Sequence, residues 1–179
     1  ASALHPSPPG YQGRGRPWYR EAAAQRAPIL TAPYADAATG EMVVTLAVPF
    51  GNNNGKLLGV TGADLSMNAL STMLNKLDLH GRGYAFLVDR HGRVLAHPDP
   101  RQVGRTLKQI FDGAPPALLR EIHDASEGGK ARLVRFEPVM GLPASAGWRV
   151  GVSMDRTLVY AEANAGRSMA ALYTALLMI

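Results

Sequence analysis

Two short stretches hold residue types that could recognise a charged small molecule. Arg14–Ala22 reads RGRPWYREA and Thr31–Asp36 reads TAPYAD. They place Arg16, Trp18, Tyr19, Tyr34 and Asp36 close together in the chain. A guanidinium is a planar fork that meets a carboxylate through two parallel charge-assisted hydrogen bonds. A carboxylate accepts from an ammonium, and an aromatic face attracts a cation by about 0.5–2 kcal/mol. Such a set suits a small zwitterion, whose two charges must both be paired if they leave water. The plainer reading is an aromatic cluster in an ordinary core. In that reading Arg16 is a solvated cation or a partner of Glu21. Trp18 is then core packing, and Asp36 accepts from its own turn.

Composition narrows the other possibilities. The 179 residues are 46% hydrophobic and 18% charged, enough for one large domain or one and a half small ones. Only the opening ASALHPSPPG lacks an apolar period. The formal net charge is +5, but the basic residues are scattered and no nucleic-acid motif is present, so nucleic acid is not an expected partner. The absence of cysteine excludes a disulfide framework and thiolate metal sites, and suits an exported domain. His91, His97 and His123 lack the paired spacing of a metal site. There is no nucleophile elbow and no phosphate- or dinucleotide-binding glycine pattern. The chain is therefore expected to be no enzyme and to use no metal or cofactor.

The elements that would position these residues follow from turn and capping signals. Pro17–Ala27 predicts a helix ended by Pro28. Met42–Phe50 and Leu57–Leu65 flank GNNNGK and predict a β-hairpin. Ser66 is a plausible cap for a helix over Met67–Leu77. Tyr84–Asp89 and Val94–Pro98 predict strands around a turn at RHGR, with Asp89 and Gly92 supplying the turn chemistry. Ala117–Ala125 reads as helical, Ala131–Val139 and Trp148–Asp155 as strands, and Thr157–Ile179 as a long helix. Antiparallel pairs beside segregated helices argue an α+β fold. Met169–Ile179 carries no charge but is shorter than the roughly 20 residues that cross a bilayer. It reads either as a buried terminal helix or, preferably, as the start of a membrane helix with Arg167 at the surface.

YQGRGRPWYREA, APYADAATGEMVVTLAVPF, LLGVTGADLSMNAL and GYAFLVDRHGRVLAHPDP together resemble the double Cache sensor domain, over about Tyr11 to Ala161. The resemblance implies two stacked PAS-like modules: a membrane-distal one over 1–80, a proximal one over 81–156, and an outgoing helix over 157–179. It also implies that a long first helix and the opening strands precede this chain. The branch that binds amino acids has a pattern that Tyr11, Arg16, Trp18, Tyr19, Tyr34, Asp36 and Asp64 fill in order. In that branch Arg16 would take the ligand carboxylate, Asp36 and Asp64 its ammonium, and the aromatic residues would wall out water. Asp64, at a strand end, can also be read as a cap for the next helix. A sister branch binds amines and would leave Arg16 idle. The resemblance further implies a periplasmic sensor on the inner membrane, most readily of a chemoreceptor that is a homodimer when intact and passes its signal through flanking helices. A structural module that meets a periplasmic protein is the alternative of another class.

Overall fold

The computed structural model describes residues 9–113, 121–143 and 146–164. The chain divides into two compact units, 1–72 with 139–147 and 73–138 with 148–179. Each is α+β and built on one antiparallel sheet.

In the first unit a 3-10 turn, Gly13–Gly15, leads into helix α1, Pro17–Gln25. Pro17 opens the helix where a missing N–H costs nothing. Arg26 closes it in the left-handed region at φ 53°, its N–H donating to the Ala22 carbonyl at 2.9 Å. The strands are β1 (Ile29–Leu30), β2 (Tyr34–Ala35), β3 (Met42–Gly51) and β4 (Leu57–Ser66). β3 is central. β4 runs along one side of it, while β1 and β2 pair in succession with the other, through Ile29 opposite Ala47 and Tyr34 opposite Val43. Asn52 makes the tip of the β3–β4 hairpin, its Oδ1 accepting from the N–H groups of Asn54 and Lys56 at 3.1 and 2.9 Å. Ser66 then caps helix α2 (Met67–Asn75), its Oγ accepting from Ala69 N–H at 3.3 Å.

The period of two in a strand puts Val43, Thr45 and Ala47 on one face of this sheet. Register adds Tyr34, Ile29, Gly62, Asp64 and Ser66 to that face. Ala22 of α1 packs there against Ile29 and Ala47, with Trp18 and Val60 at the margin. On the opposite face Met42, Val48, Phe50 and Leu65 remain exposed.

The second unit has a sheet of five strands, β5 (Gly83–Val88), β6 (Val94–Ala96), β7 (His123–Glu127), β8 (Lys130–Pro138) and β9 (Arg149–Asp155), ordered β6-β5-β9-β8-β7. One face holds Phe86, Val134 and Phe136 under helix α3 (Leu107–Ile110) and Phe111. Register sets Gly151 between Phe86 and Phe136, whose rings meet edge to face at 5.8 Å. A Cβ at Gly151 would come within 2.7 Å of Phe86 Cε1, so only glycine lets the two rings close over the strand. The other face packs Leu133, Val152 and Met154 under Val159 of helix α4 (Arg156–Asn164).

One expectation is corrected. Ala117–Ala125 was expected to be helical, but His123–Ala125 belong to strand β7, while 117–120 lie outside the described residues. Gly128 and Gly129, at φ 55° and 80°, make a two-residue hairpin turn into β8, and this chemistry fixes β7 as a strand. The expected membrane-entering stretch, Met169–Ile179, also lies outside the described residues. Among the described residues no helix is long and apolar enough to cross a membrane.

Candidate functional site

The candidate site occupies the face of the first sheet next to the start of α1. Gly62 is the residue that lets the two meet. A Cβ there would lie 3.4 Å from Trp18 Cε3 and 3.0 Å from Thr45 Cγ2, so the indole rests close to bare β4 backbone. Tyr19 stands edge-on to Trp18 at 5.6 Å between ring centroids. Gly13 sits in the same way between rings, its Cβ position 3.5 Å from Tyr11 Cε1 and 3.6 Å from Trp18 Cζ2.

Arg16 is the N-cap residue of α1 and is half-buried. Its Nη2 donates to the Ala35 carbonyl at 2.9 Å, not to Glu21, and its guanidinium carbon lies 5.3 Å from the centre of the Tyr34 ring. Its Nε is buried without a hydrogen-bond partner. A buried donor on a charged group is costly to leave unmet.

Tyr34, Thr45 and Asp64 form a hydrogen-bonded row across three strands. The Thr45 hydroxyl donates to Asp64 Oδ1 at 2.5 Å, which leaves it to accept from the Tyr34 hydroxyl, also at 2.5 Å. Thr45 is 1% exposed and is held from behind, its own N–H donating to the Thr31 hydroxyl at 3.0 Å. Burial pushes the Tyr34 phenol above its ordinary pKa, and Asp64 and Tyr11 add to this against the Thr45 bond and Arg16. At neutral pH Tyr34 is therefore a protonated donor.

The structure thus groups Tyr11, Arg16, Tyr34 and Asp64 around one patch, with Trp18 and Tyr19 beside it. Asp36 is arranged differently. Its Oδ1 accepts from Ala38 N–H, Thr39 N–H and the Thr39 hydroxyl at 3.1, 2.9 and 2.9 Å. These bonds, the Thr39 N–H foremost, hold its carboxyl below the usual range. None of them reaches Arg16, Tyr34 or Asp64. Asp64 does not cap α2, a task that falls to Ser66. Thr45 and Gly62 escaped the sequence reading. The only signal was a hydroxyl residue inside the apolar run VVTLAV and a glycine inside a strand. Among the described residues no group of three or more His, Asp or Glu side chains could hold a metal ion.

The chain has relatives among known proteins. The chain is 40% identical over 164 residues to the methyl-accepting chemotaxis protein McpA of Pseudomonas putida, covering 91% of this chain and 25% of McpA. It therefore spans about a quarter of that relative's length. The ligand-binding domain of the Pseudomonas aeruginosa amino acid chemoreceptor PctB, solved with L-Arg, matches with a TM-score of 0.76 at 36% identity, over 89% of this chain and 68% of that one. The ligand-binding domain of the Pseudomonas fluorescens chemoreceptor CtaA, solved with L-alanine, matches with a TM-score of 0.71 at 37% identity, over 84% and 64%. With residues 2–163 matching the Cache domain model dCache_1, the chain belongs to that family of ligand-binding domains.

Proposed function

We propose that the first unit binds a free α-amino acid, and that the chain is the extracytoplasmic sensor of a transmembrane chemoreceptor. The observation that carries this is the buried, unpartnered Nε of Arg16, on the same patch as Asp64 and Tyr34. Arg16 would donate to the ligand carboxylate. Asp64, with Oδ1 held by Thr45, would turn its other oxygen to the ammonium. Tyr11, Trp18, Tyr19 and Tyr34 would exclude water and strengthen both contacts. Asp36 would add a second acceptor through the oxygen its turn leaves over. The ligands bound by PctB and CtaA, L-Arg and L-alanine, support the same class of ligand here.

A second reading, an amine sensor, is favoured by the Arg16 bond to the Ala35 carbonyl, which already engages part of the guanidinium. A thermal-shift screen of the whole ligand-binding domain separates the two. A ligand at about a hundred times its dissociation constant stabilises the fold by roughly 2.7 kcal/mol. Amino acids are expected to raise the melting temperature, and Arg16→Ala to remove that rise at a cost of about 2–5 kcal/mol in binding. A rise with polyamines alone, unchanged in Arg16→Ala, would establish the amine sensor. No shift with either class would overturn both.

A further inference from the structure

The second unit has a charged cleft of its own. It has a volume of about 570 Å³, within the range of small-molecule sites, and its lining includes Arg82, Tyr84, Glu127, Lys130, Arg132 and Asp155. Sheet register explains why these groups converge. Tyr84 pairs with Ser153, Ser153 with Val134, Arg132 with Ala125 and Lys130 with Glu127. Strand alternation therefore puts Tyr84, Ser153, Arg132, Lys130 and Glu127 on the face that carries Phe86 and Phe136 farther along. The aromatic core of that face gives way to charge at one end.

Arg132 is 8% exposed. Its Nε donates to Ser153 Oγ at 2.9 Å and its Nη2 to the Ser153 carbonyl at 3.0 Å, and its guanidinium carbon lies 5.1 Å from the centre of the Tyr84 ring. Its anionic neighbour, Glu127, stands 3.5 Å away. Glu127 pairs with this buried cation, while the closer contacts of the guanidinium are to the neutral Ser153. Beside it the Tyr84 hydroxyl is buried with no hydrogen-bond partner. Burial first, then Glu127, pushes the phenol far above its ordinary pKa, so it remains a donor. The His97 ring stands T-shaped to the Tyr84 ring, with 4.7 Å between their centroids. Of the anions in the lining, Asp155 is engaged in capping α4, its Oδ1 accepting from Thr157 and Leu158 N–H at 2.9 and 3.3 Å. Arg82, Lys130 and Arg132 thus share the lining with two carboxylates, Glu127 ion-paired with Arg132 and Asp155 capping α4, so the lining holds one more cation than anion.

We propose that this cleft is a second ligand site, separate from the one in the first unit, and that it takes a small organic carboxylate. The Tyr84 hydroxyl donates to one carboxylate oxygen and the Arg132 guanidinium compensates its charge, while Lys130 attracts the anion at the mouth.

The test is an NMR titration of the whole ¹⁵N-labelled chain with acetate, L-lactate and butyrate at constant pH and ionic strength. Acetamide is the uncharged control. Saturable shifts are expected at the Gly83, Gly128 and Gly129 amides and at the Arg132 side chain, with the Arg16 and Tyr34 region unmoved. Tyr84→Phe removes only the hydroxyl and keeps the ring packed against Phe86 and His97, with an unchanged melting temperature as the check that the fold is retained. It should weaken carboxylate binding about tenfold, the worth of one hydrogen bond to a charged group. No saturable shift with any of the three acids overturns the proposal. Equal shifts with acetamide, unchanged affinity in Tyr84→Phe, or second-unit shifts with alanine but not with the acids overturn it as well. Because the two units report on separate resonances, failure here is distinguishable from failure of the amino acid reading.

Discussion

The Thr45 hydroxyl donates to Asp64 Oδ1 at 2.5 Å, across a register pair that joins β3 to β4. A wholly buried neutral residue thereby orients the carboxylate that the proposed ligand would meet, and it anchors Tyr34 from the other side. Thr45→Val keeps the shape and removes the hydroxyl, leaving Tyr34 and Asp64 each without that partner. The expected loss is about 1–3 kcal/mol of stability. Amino acid affinity should weaken as well, because Asp64 is no longer held. Denaturant unfolding and calorimetric titration check the two effects, and wild-type values in both would show that the row is incidental.

Asp36 provides a test of role. Asn can make the same turn through its Oδ1 but carries no charge. If Asp36 only closes its turn, Asp36→Asn should leave ligand affinity unchanged, whereas a tenfold or greater loss would mean that it meets the ammonium. The turn should also depend on pH. The folded carboxyl titrates below its unfolded value of about 3.9. Its contribution is therefore fully present above that value and is lost as pH falls through the folded pKa. Hydrogen-exchange protection of the Ala38, Thr39 and Gly40 amides, followed downward from pH 5, should fall in that window.

Two glycines make opposite kinds of room. Gly62→Ala would press on Thr45 and the Trp18 indole at 3.0 and 3.4 Å, and an indole at the sheet margin can shift. Altered Trp18 fluorescence and weaker ligand binding are expected, with little loss of stability. Gly151→Ala meets Phe86, which is 0% exposed and cannot move. Overpacking there should destabilise the second unit by about 1–3 kcal/mol. Equal effects of the two substitutions on unfolding would contradict this contrast.

His97 gives the second unit a pH dependence. It is 4% exposed, and its Nδ1 accepts from Asp99 N–H at 2.9 Å, which leaves the ring proton on Nε2. Burial lowers its pKa, against the opposing charges of Glu127 and Asp99. The folded value lies below the unfolded value of about 6.5, so the stability it contributes is complete above that pH and is lost as pH falls through the folded pKa. The denaturation midpoint should drop between pH 8 and pH 5. His97→Asn, whose Oδ1 can accept from Asp99 in the same place, should flatten that dependence.

Much of the fold was legible because its causes are local. GNNNGK between two β-branched apolar runs predicts the β3–β4 hairpin, and Pro17, Pro28 and Ser66 mark helix boundaries that the structure places within a few residues. Strand β7 was misread because HDASE has little apolar alternation, and the Gly128–Gly129 turn that identifies it follows the strand rather than lying within it.

For the site, the amino-acid sequence alone determined which charges and rings are available and the backbone preferences of the segments that carry them. Tertiary structure decided how those charges are used. Asp36 and Asp64 are the same residue type, yet one is bound by neighbours two and three positions away and the other by Thr45, nineteen positions back. The buried Arg132 beside an unpartnered Tyr84 arises from strands far apart in the chain. The physical reason is that an Asx turn needs only a short stretch of chain, whereas a sheet chooses its partners by register. A shift of one residue would turn Thr45, Asp64, Tyr84 and Arg132 to the opposite faces of their sheets.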